Sequence, residues 1–590
     1  MSSSFTFLPA ATHGKRRGRI DWAGIAWLYL FFWYFSGLMQ ALMIPTAGFV
    51  GFRNVFFLSA IWLAPVLLFP RWTRQIAAAL GIVLWATSLV SIGYWGIYGQ
   101  EFSQSVIFTI FESNMAESGE YLSQYVSLRL LVGVAAYSIV AFLLWRRLRP
   151  VDLPRPVAVG AAVFVVLTNL ASPYLAYLPG KIDFPDGTIK LQRRLEPATP
   201  WHLLMGYYQY RHQLDNVQAL LQGNAALPPV RDLIDANGDT PRTLVLVIGE
   251  STTSRRMSLY GYPRKTTPHL DALKERGELI TFNNVITSRP YTIEILRQAL
   301  TFANEEAPNR FLTEPNLMNV MKQAGYKTFW ITNQQTMTQR NTLLTVFSQQ
   351  ADEVRYLNSQ RVQNATLYDQ IVFEPFAASL QDPAPKKFIV VHLLGTHAKY
   401  LYRYPREYAT FNTRDNAPAS LTDSQLETYN SYDNAVLYND FVVSSLIDTF
   451  AASKADGFLV YFSDHGEEVF HESPHQILGR NEAAPTPDMY AVPFILWAAP
   501  SWKKTHDVDF AAMADRRYSN ADFIHTWSDL AGLRYDRFQP ERSLVNPDFV
   551  AHTRWIGNPD LKNGLRDYDA IMPVSPPILT AAQISTTARR

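Results

Sequence analysis

Five long apolar stretches crowd the first 178 residues of the chain, whereas the remainder alternates short apolar runs with polar segments. A helix needs about 20 mostly apolar residues to cross the hydrocarbon of a bilayer. Five such stretches packed into so short a region are not typical of the buried helices of a soluble protein. We therefore predict five membrane spans, at residues 22–43, 52–70, 75–98, 129–146 and 157–178.

The short loops between these spans predict an orientation, because basic loops stay on the cytoplasmic side of a membrane. Lysine and arginine precede the first span, and arginines lie in the loops after the second and fourth spans. Five spans then place everything after residue 178 outside the cytoplasm. The first apolar run is too long for a cleaved signal peptide and lacks a small-residue cleavage pattern, so it is expected to remain as an anchor.

From residue 243 onward, short apolar runs alternate with helical patterns. The pattern predicts an α/β fold with a largely parallel central sheet, because strands buried on both faces read as near-continuous apolar runs. The predicted strands are Thr243–Ile248, Leu279–Ile286, Lys327–Ile331, Phe388–His392, Phe458–Phe462 and Val492–Trp497, with helices at 267–276, 315–324 and 430–452.

These patterns divide the chain into three parts. Residues 1–178 form the membrane domain, residues 179–240 a connector, and residues 241–590 a globular domain. The connector begins with turn-forming proline and glycine. Its aromatic-rich stretch 201–221 predicts a helix at the membrane surface.

Composition narrows the possible chemistry. The chain has 590 residues with 53 basic and 51 acidic side chains, so nothing favours nucleic acid as a partner. It contains no cysteine, which excludes thiol nucleophiles, disulfides and cysteine-built metal sites. Any metal ion must be held by histidine, aspartate, glutamate or hydroxyl oxygen.

Candidate functional side chains follow the predicted strands, and in parallel sheets such groups collect beyond the carboxyl ends of the strands. Glu250 follows one strand, Asp464 and His465 follow another, and His392 and His397 lie at the end of a third. Each residue alone has an ordinary interpretation: a loop acid or helix cap for Glu250, a tight turn for Asp464-His465-Gly466, and a surface histidine for His397. The functional interpretation rests on their convergence at one edge.

Thr292 precedes a helical pattern and is therefore placed near a helix N-terminus, where backbone N–H groups and the helix dipole favour an anion such as phosphate. By itself such a threonine is most often a helix cap. The segment His471-Glu-Ser-Pro474-His475 fits the zinc-protease pattern of two histidines one turn apart. Pro474 would interrupt the required helix, so we reject that interpretation, although His475 can still reach the site from a loop.

Taken together, these motifs resemble the phosphoethanolamine transferases of the alkaline-phosphatase and sulfatase superfamily, and the resemblance covers nearly the whole chain. It rests on Gly249-Glu250-Ser251, on the stretch 259–268, on Tyr291-Thr292, on the stretch 392–405 and on Ser463 to Glu467. The branch that modifies lipopolysaccharide core or periplasmic glucans looks more similar than the lipid A branch. The resemblance implies an inner-membrane enzyme whose alkaline-phosphatase-like catalytic domain lies in the periplasm.

The resemblance also implies roles for single residues. Glu250, Thr292, Asp464 and His465 would ligate zinc, with one ion and possibly a second, and Thr292 would be the nucleophile. The residues implied to approach the substrate are His397, His475, Glu117 and His392. The chain departs from the family in three ways: it lacks the lipid A branch's cysteines, it has Thr109 where an asparagine is expected, and it has no clear match for a lysine around residues 333–337.

The function implied is transfer of phosphoethanolamine from phosphatidylethanolamine to a lipopolysaccharide or glucan acceptor, through a phosphoethanolamine–threonine intermediate. Two alternatives stay open: a phosphoglycerol transferase that uses phosphatidylglycerol, and a non-catalytic membrane scaffold with a hydrolase-like domain. A sulfatase is disfavoured, because the chain has no cysteine and no formylglycine-forming segment at Thr292.

Overall fold

The structure is a computed structural model, and it describes residues 20–47, 49–98, 127–175, 190–191, 194–208, 211, 227–334, 342–358, 368–482, 484–506, 508–559 and 564–572. These residues form two compact units. The first contains the described residues up to 208, and the second contains those from 211 onward. The exact domain limits drawn from the sequence stay a prediction.

The first unit is a bundle of apolar helices whose outward faces are hydrophobic. Its core is built from side chains such as Leu28, Phe31, Phe35 and Leu84, while large apolar residues such as Phe164 remain exposed. A soluble protein rarely leaves so many apolar side chains uncovered, and lipid is the solvent that suits them. The helices are Trp22–Ala47, Phe49–Leu58, Leu63–Leu68, Thr73–Tyr98, Leu128–Arg147, Arg155–Leu170 and Ser172–Leu175; residues 201–208 are also helical.

Two of the five predicted spans differ in detail from the observed helices. The second is divided by a tighter turn at Ser59–Trp62, next to Pro65, which has no N–H to donate to the preceding turn. The fifth ends at Leu170 and continues as Ser172–Leu175. Residues 176–178 of that prediction lie outside the described part. Five apolar helical segments are nevertheless present, as the hydrophobic pattern predicts.

The second unit is built around a seven-stranded sheet, which confirms the predicted α/β class. The strands are β2 Arg242–Gly249, β3 Leu279–Phe282, β5 Lys327–Thr332, β6 Glu353–Tyr356, β7 Lys386–His392, β8 Gly457–Ser463 and β11 Phe494–Ala498. They lie in the order β3-β11-β8-β2-β7-β5-β6, and only β11 runs against its neighbours in this sheet.

Short strand pairs and helices surround this sheet. The pairs join β1 Ile234–Asp235 with β13 Leu533–Arg534, β4 Val285–Ile286 with β12 Tyr518–Ser519, β9 Glu468–Val469 with β10 Leu478–Gly479, and β14 Trp555–Gly557 with β15 Leu565–Asp567. The helices are Pro268–Glu275, Thr292–Ala299, Leu317–Gln323, Thr342–Gln349, Phe373–Leu380, Asp423–Ser453, Pro487–Tyr490, Pro500–Thr505, Phe523–Leu530 and Tyr568–Ile571.

Within the seven-stranded sheet the sequence pattern missed one strand, β6, and it merged β3 with β4; the other short strands outside this sheet were not predicted. Strand β6 is short and partly exposed at the sheet edge, so it carries no buried apolar run. The predicted strand Leu279–Ile286 is interrupted after Phe282, because the backbone of Asn283 and Asn284 hydrogen-bonds to Ala514 and Tyr518 instead of continuing in the sheet. Its second part, β4, pairs with β12.

The helix Asp423–Ser453 is long and apolar enough to cross a membrane by length and composition alone. It nevertheless belongs to the globular unit, because it buries polar side chains that are bound by other parts of that unit. Asp433 accepts hydrogen bonds from Arg256 and Arg264, and Asp440 accepts the backbone N–H groups of residues 269 and 270. These polar contacts identify it as a core helix.

The start of β8 depends on a glycine. Gly457 has φ +139°, and a Cβ there would lie 1.8 Å from the carbonyl oxygen of Thr243 on the neighbouring β2. We expect Gly457→Ala to lower the free energy of unfolding of this unit by about 3 kcal/mol or more, because backbone strain and a backbone clash add together.

The matched control is Gly277→Ala. Gly277 also has positive φ (+70°), but nothing lies within 4 Å of the position that a Cβ would take there, so only the strain of about 1 kcal/mol remains. Thermal unfolding of the two purified variants in detergent would measure the difference, and equal losses would contradict the steric argument.

Candidate active site

Two adjacent parallel strands deliver acidic side chains to one edge of the sheet. Gly249 of β2 is paired in register with Ser463 of β8, and the residues that follow them are Glu250 and Asp464. Both carboxylates and the next residue, His465, are buried. One ligand atom from each of these three side chains lies within 4.8 Å of the others.

Thr292 joins this group from a different element. The helix Thr292–Ala299 begins at this residue, as the sequence pattern predicts. Its Oγ1 lies 3.0 Å from Oε2 of Glu250, to which it donates, and 3.3 Å from Nε2 of His465. The half-buried hydroxyl therefore faces a carboxylate and an imidazole while it stands at the N-terminus of a helix.

Backbone hydrogen bonds orient Asp464 and His465. Oδ1 of Asp464 accepts the N–H groups of Ser251 and His465, at 3.1 and 2.7 Å. Nδ1 of His465 is 2.9 Å from the carbonyl oxygen of Gly466, so this nitrogen carries the proton and Nε2 presents its lone pair to the site. Ser251 has φ +59°, a strained conformation that brings its N–H to Asp464.

The two buried carboxylates have opposite pKa shifts. Burial alone would raise the pKa of Glu250, but His465, His397 and Arg480 hold it well below its usual range. Burial and the negative charge of Glu250 raise the pKa of Asp464 well above its usual range. Burial and the charge of Arg480 lower the pKa of His465, which favours the neutral imidazole. A metal ion bound between the two carboxylates would favour the ionised form of both.

The donor atoms fit a zinc ion. Oδ2 of Asp464 is buried and has no hydrogen-bond partner among the described residues, although an oxygen in such a position normally has one. Two carboxylates, one neutral imidazole nitrogen and one hydroxyl provide the oxygen and nitrogen ligands that zinc accepts. The arrangement can hold a divalent cation directly against the Thr292 hydroxyl.

The other predicted site residues are placed as follows. His397 is half-buried and close enough to lower the pKa of Glu250. His392, at the end of β7, is 1% exposed, and its buried Nε2 has no hydrogen-bond partner in the described part of the chain. His475 bonds through Nδ1 to the carbonyl oxygen of Phe470. Their roles toward a substrate stay predictions, and Glu117, like Thr109, lies outside the described residues.

The rejected protease pattern is not helical in the structure. Residues 470–476 form turns and bends, and Nδ1 of His471 contacts Oδ2 of Asp488 at 2.8 Å. His471, Glu472 and Asp488 also lie close together, but Arg255 bonds to both acids, at 2.5 and 2.7 Å. The Arg255 cation bridges the two acids, and the cluster braces the loop after β9.

The stretch 259–268 has a structural role. Arg264 donates to Oδ2 of Asp433 at 2.8 Å, and Arg256 just before the stretch donates to Oδ1 at 2.6 Å. Arg256 and Asp433 are fully buried. The two arginines fasten the loop that follows Glu250 to the long helix Asp423–Ser453, and this contact keeps the end of β2 in place.

Sequence reasoning missed two side chains that touch the site. Nη1 of Arg480 lies 2.5 Å from Nε2 of His465, and Nε2 of Gln334 lies 3.3 Å from Oε2 of Glu250. Gln334 falls in the segment where the sequence offers no match for a family lysine. Arg480 follows the two-residue strand β10, which has no apolar run to mark it. Gln334 lies two residues after the buried strand β5, so strand-end position could have nominated it.

A mostly parallel sheet with this cluster at its edge defines the globular unit as a sulfatase-type domain of the alkaline-phosphatase superfamily, and the model of the Sulfatase family matches residues 242–533. The chain is 55% identical over 568 residues to phosphoethanolamine transferase EptC of Escherichia coli, which covers 95% of this chain and 98% of the relative. It therefore belongs to the phosphoethanolamine transferase family, and it is an enzyme of that class.

Two solved structures agree with this assignment. The C-terminal periplasmic domain of Escherichia coli EptC, in complex with Zn, is 62% identical with a TM-score of 0.58 and covers 59% of this chain and 98% of that one. The integral membrane protein EptA of Neisseria meningitidis is 18% identical with a TM-score of 0.59, and it covers 89% of this chain and 98% of that one. The chain is thus a multi-pass membrane protein with a periplasmic catalytic domain.

Proposed function

We propose that the protein transfers phosphoethanolamine from phosphatidylethanolamine to a lipopolysaccharide or periplasmic glucan acceptor at the outer face of the inner membrane, with Thr292 as the nucleophile. The observation that carries this proposal is the position of Oγ1 of Thr292, 3.0 Å from Glu250 and 3.3 Å from His465. A hydroxyl is a weak nucleophile until a base or a metal ion activates it.

Glu250, Thr292, Asp464 and His465 would hold zinc, which when bound supplies a Lewis acid that lowers the pKa of the threonine hydroxyl. Oε2 of Glu250 already accepts the hydroxyl hydrogen, so it orients the oxygen. The helix Thr292–Ala299 begins at the nucleophile, so the positive end of its dipole favours the phosphoryl oxygens there. One ion fits the four donors described; a second ion stays a prediction.

In the first half of the reaction the bond from Oγ1 to phosphorus forms while the bond from phosphorus to the glycerol oxygen breaks. The threonine proton ends on the departing diacylglycerol. In the second half an acceptor oxygen attacks phosphorus, its proton returns to Thr292, and the phosphoethanolamine group leaves the enzyme. A membrane-anchored enzyme finds a lipid donor by searching in two dimensions, which suits this order of events.

The donor can be tested directly against its nearest rival. The full-length protein is incubated in nanodiscs with phosphatidylethanolamine labelled in ethanolamine or with phosphatidylglycerol labelled in the headgroup glycerol. We expect intact-mass analysis to find a phosphoethanolamine adduct, and peptide mapping to place it on Thr292. Labelling at least tenfold faster from phosphatidylglycerol would instead identify a phosphoglycerol transferase.

The acceptor requires a separate measurement. Masses of lipopolysaccharide and of periplasmic glucans are compared between cells that contain and cells that lack this protein. We expect phosphoethanolamine to be lost from one of the two classes, and an unchanged pattern in both would contradict the proposed acceptors.

A further inference from the structure

Arg480 is a second charged group beside the proposed nucleophile. It follows β10 directly, its side chain is 18% exposed, and its Nη1 lies 2.5 Å from Nε2 of His465. Because the Thr292 hydroxyl contacts the same ring nitrogen, the guanidinium and the hydroxyl are neighbours. Nothing in the mechanism above uses this arginine.

The contact between Arg480 and His465 competes with metal binding. Nδ1 of His465 carries the ring proton, so Nε2 has a single lone pair, which either accepts the Arg480 N–H or binds a metal ion. With a metal ion on Nε2, Arg480 loses the one hydrogen bond that the described residues give it. The nearest carboxylate, Glu467, is 3.9 Å away, a distance too long for a hydrogen bond.

The guanidinium keeps its charge, because arginine is not deprotonated in proteins. Burial would lower the pKa of Arg480, but Glu467, Glu250 and Asp464 together raise it. Its Cζ lies 5.8 Å from the centre of the Tyr291 ring, which supports the cation from one side. A partly buried cation whose N–H donors lie beside a nucleophilic hydroxyl is suited to bind an oxyanion.

We propose that Arg480 is a catalytic residue that binds a non-bridging phosphoryl oxygen while the group passes to and from Thr292. This inference rests on the proposed function, in which Oγ1 of Thr292 bonds to phosphorus as the glycerol oxygen leaves with the threonine proton. Negative charge on the non-bridging oxygens must be held through that exchange, and a planar guanidinium can hold two of them at once. Zinc held by Glu250, Thr292, Asp464 and His465 would supply Lewis-acid chemistry to the same phosphoryl group.

The test compares Arg480→Ala and Arg480→Lys with the full-length wild-type protein, in nanodiscs of phosphatidylethanolamine and phosphatidylcholine. We expect Arg480→Ala to form the Thr292 adduct about 10²- to 10³-fold more slowly, with the zinc content unchanged or higher because a competitor for Nε2 is gone. Arg480→Lys should form the adduct at a rate between those of the wild type and Arg480→Ala. Lysine keeps the positive charge but lacks the planar pair of N–H donors of a guanidinium. Guanidinium ion added at low millimolar concentration should partly restore the rate at which Arg480→Ala forms the adduct.

The matched control is Arg276→Ala, which removes an exposed arginine paired with Glu278. It should form the adduct at the wild-type rate with or without guanidinium. Wild-type adduct formation by zinc-loaded Arg480→Ala would overturn the inference. Loss of zinc from Arg480→Ala would also overturn it, because the arginine would then be positioning His465.

A second readout separates this inference from the proposed function. If the wild-type protein forms no adduct, the covalent mechanism fails, and binding of inorganic phosphate to the zinc-loaded protein still tests Arg480. We expect phosphate to raise the unfolding temperature of the wild type and of Arg276→Ala. Arg480→Ala should need at least tenfold more phosphate for the same shift, and an equal response would overturn the role of Arg480.

Discussion

Replacement of Thr292 with alanine is expected to abolish the phosphoethanolamine adduct and to lower transfer by about 10³-fold or more, because no other hydroxyl takes its place in the exchange. Oγ1 of Thr292 is the group that Glu250 and His465 both contact. The residue is half-buried at the first position of its helix, so the loss of one hydroxyl and one methyl group should leave the fold intact.

Thr292→Ser is the matched variant, since it keeps the hydroxyl and removes only the methyl group. We expect it to form the adduct and to retain measurable transfer. Intact-mass analysis after donor treatment and unfolding temperatures for both variants provide the measurement. An adduct of wild-type yield in Thr292→Ala would exclude Thr292 as the nucleophile, whatever the activity.

Asp464→Asn has the second-largest expected effect, and it should separate metal binding from folding. Oδ1 of Asp464 is held by two backbone N–H groups, whereas Oδ2 has no hydrogen-bond partner in the described part of the chain. The substitution keeps the shape and removes the charge. We expect zinc affinity to fall by about 10²-fold or more, since the change removes a ligand rather than one of its supports.

Unfolding temperatures measured with and without a chelator provide a second test of Asp464 as a metal ligand. A chelator should lower the unfolding temperature of the wild type, because zinc binds only the folded state. Without metal, burial and Glu250 raise the pKa of Asp464, so an uncharged asparagine should be tolerated at least as well. Asp464→Asn is therefore expected to unfold at the same temperature with and without chelator, at or above that of the metal-free wild type.

Asp369→Asn is the control for replacing a buried aspartate near the site. Both oxygens of Asp369 are already bound, by the N–H groups of Leu394 and Gly395 and by Asn333. We expect this variant to lose stability but to keep its zinc and its response to chelation. If Asp464→Asn also kept both, Asp464 would not be a ligand.

Periodicity predicted the fold class, and chain position made Glu250, Thr292, Asp464 and His465 candidates alongside His392 and His397; the resemblance to the family then implied the set of four. The apolar runs of β2 and β8 are buried on both faces, and such runs can be recognised in a single sequence. Glu250 and Asp464 were nominated because they follow those runs. Thr292 was nominated because its helix has a recognisable beginning.

Three other features of the fold could not be predicted from the sequence pattern. Strand β6 is too short and too exposed to produce a pattern, and Pro65 by itself does not show that the second span is divided at Ser59–Trp62. The helix Asp423–Ser453 resembles a span by composition, and only its buried contacts with Arg256 and Arg264 place it in the globular core.

The sequence by itself determined that this protein has a membrane part and an α/β part, and which strand ends carry carboxylates and imidazole, since local hydrophobic periods and chain neighbours specify these. Only the tertiary structure decided that Thr292 reaches Glu250 across 42 positions and that Arg480 stands against His465. Such contacts arise where separate strands, helices and loops meet, and the distance between two residues along the chain does not determine their distance in space.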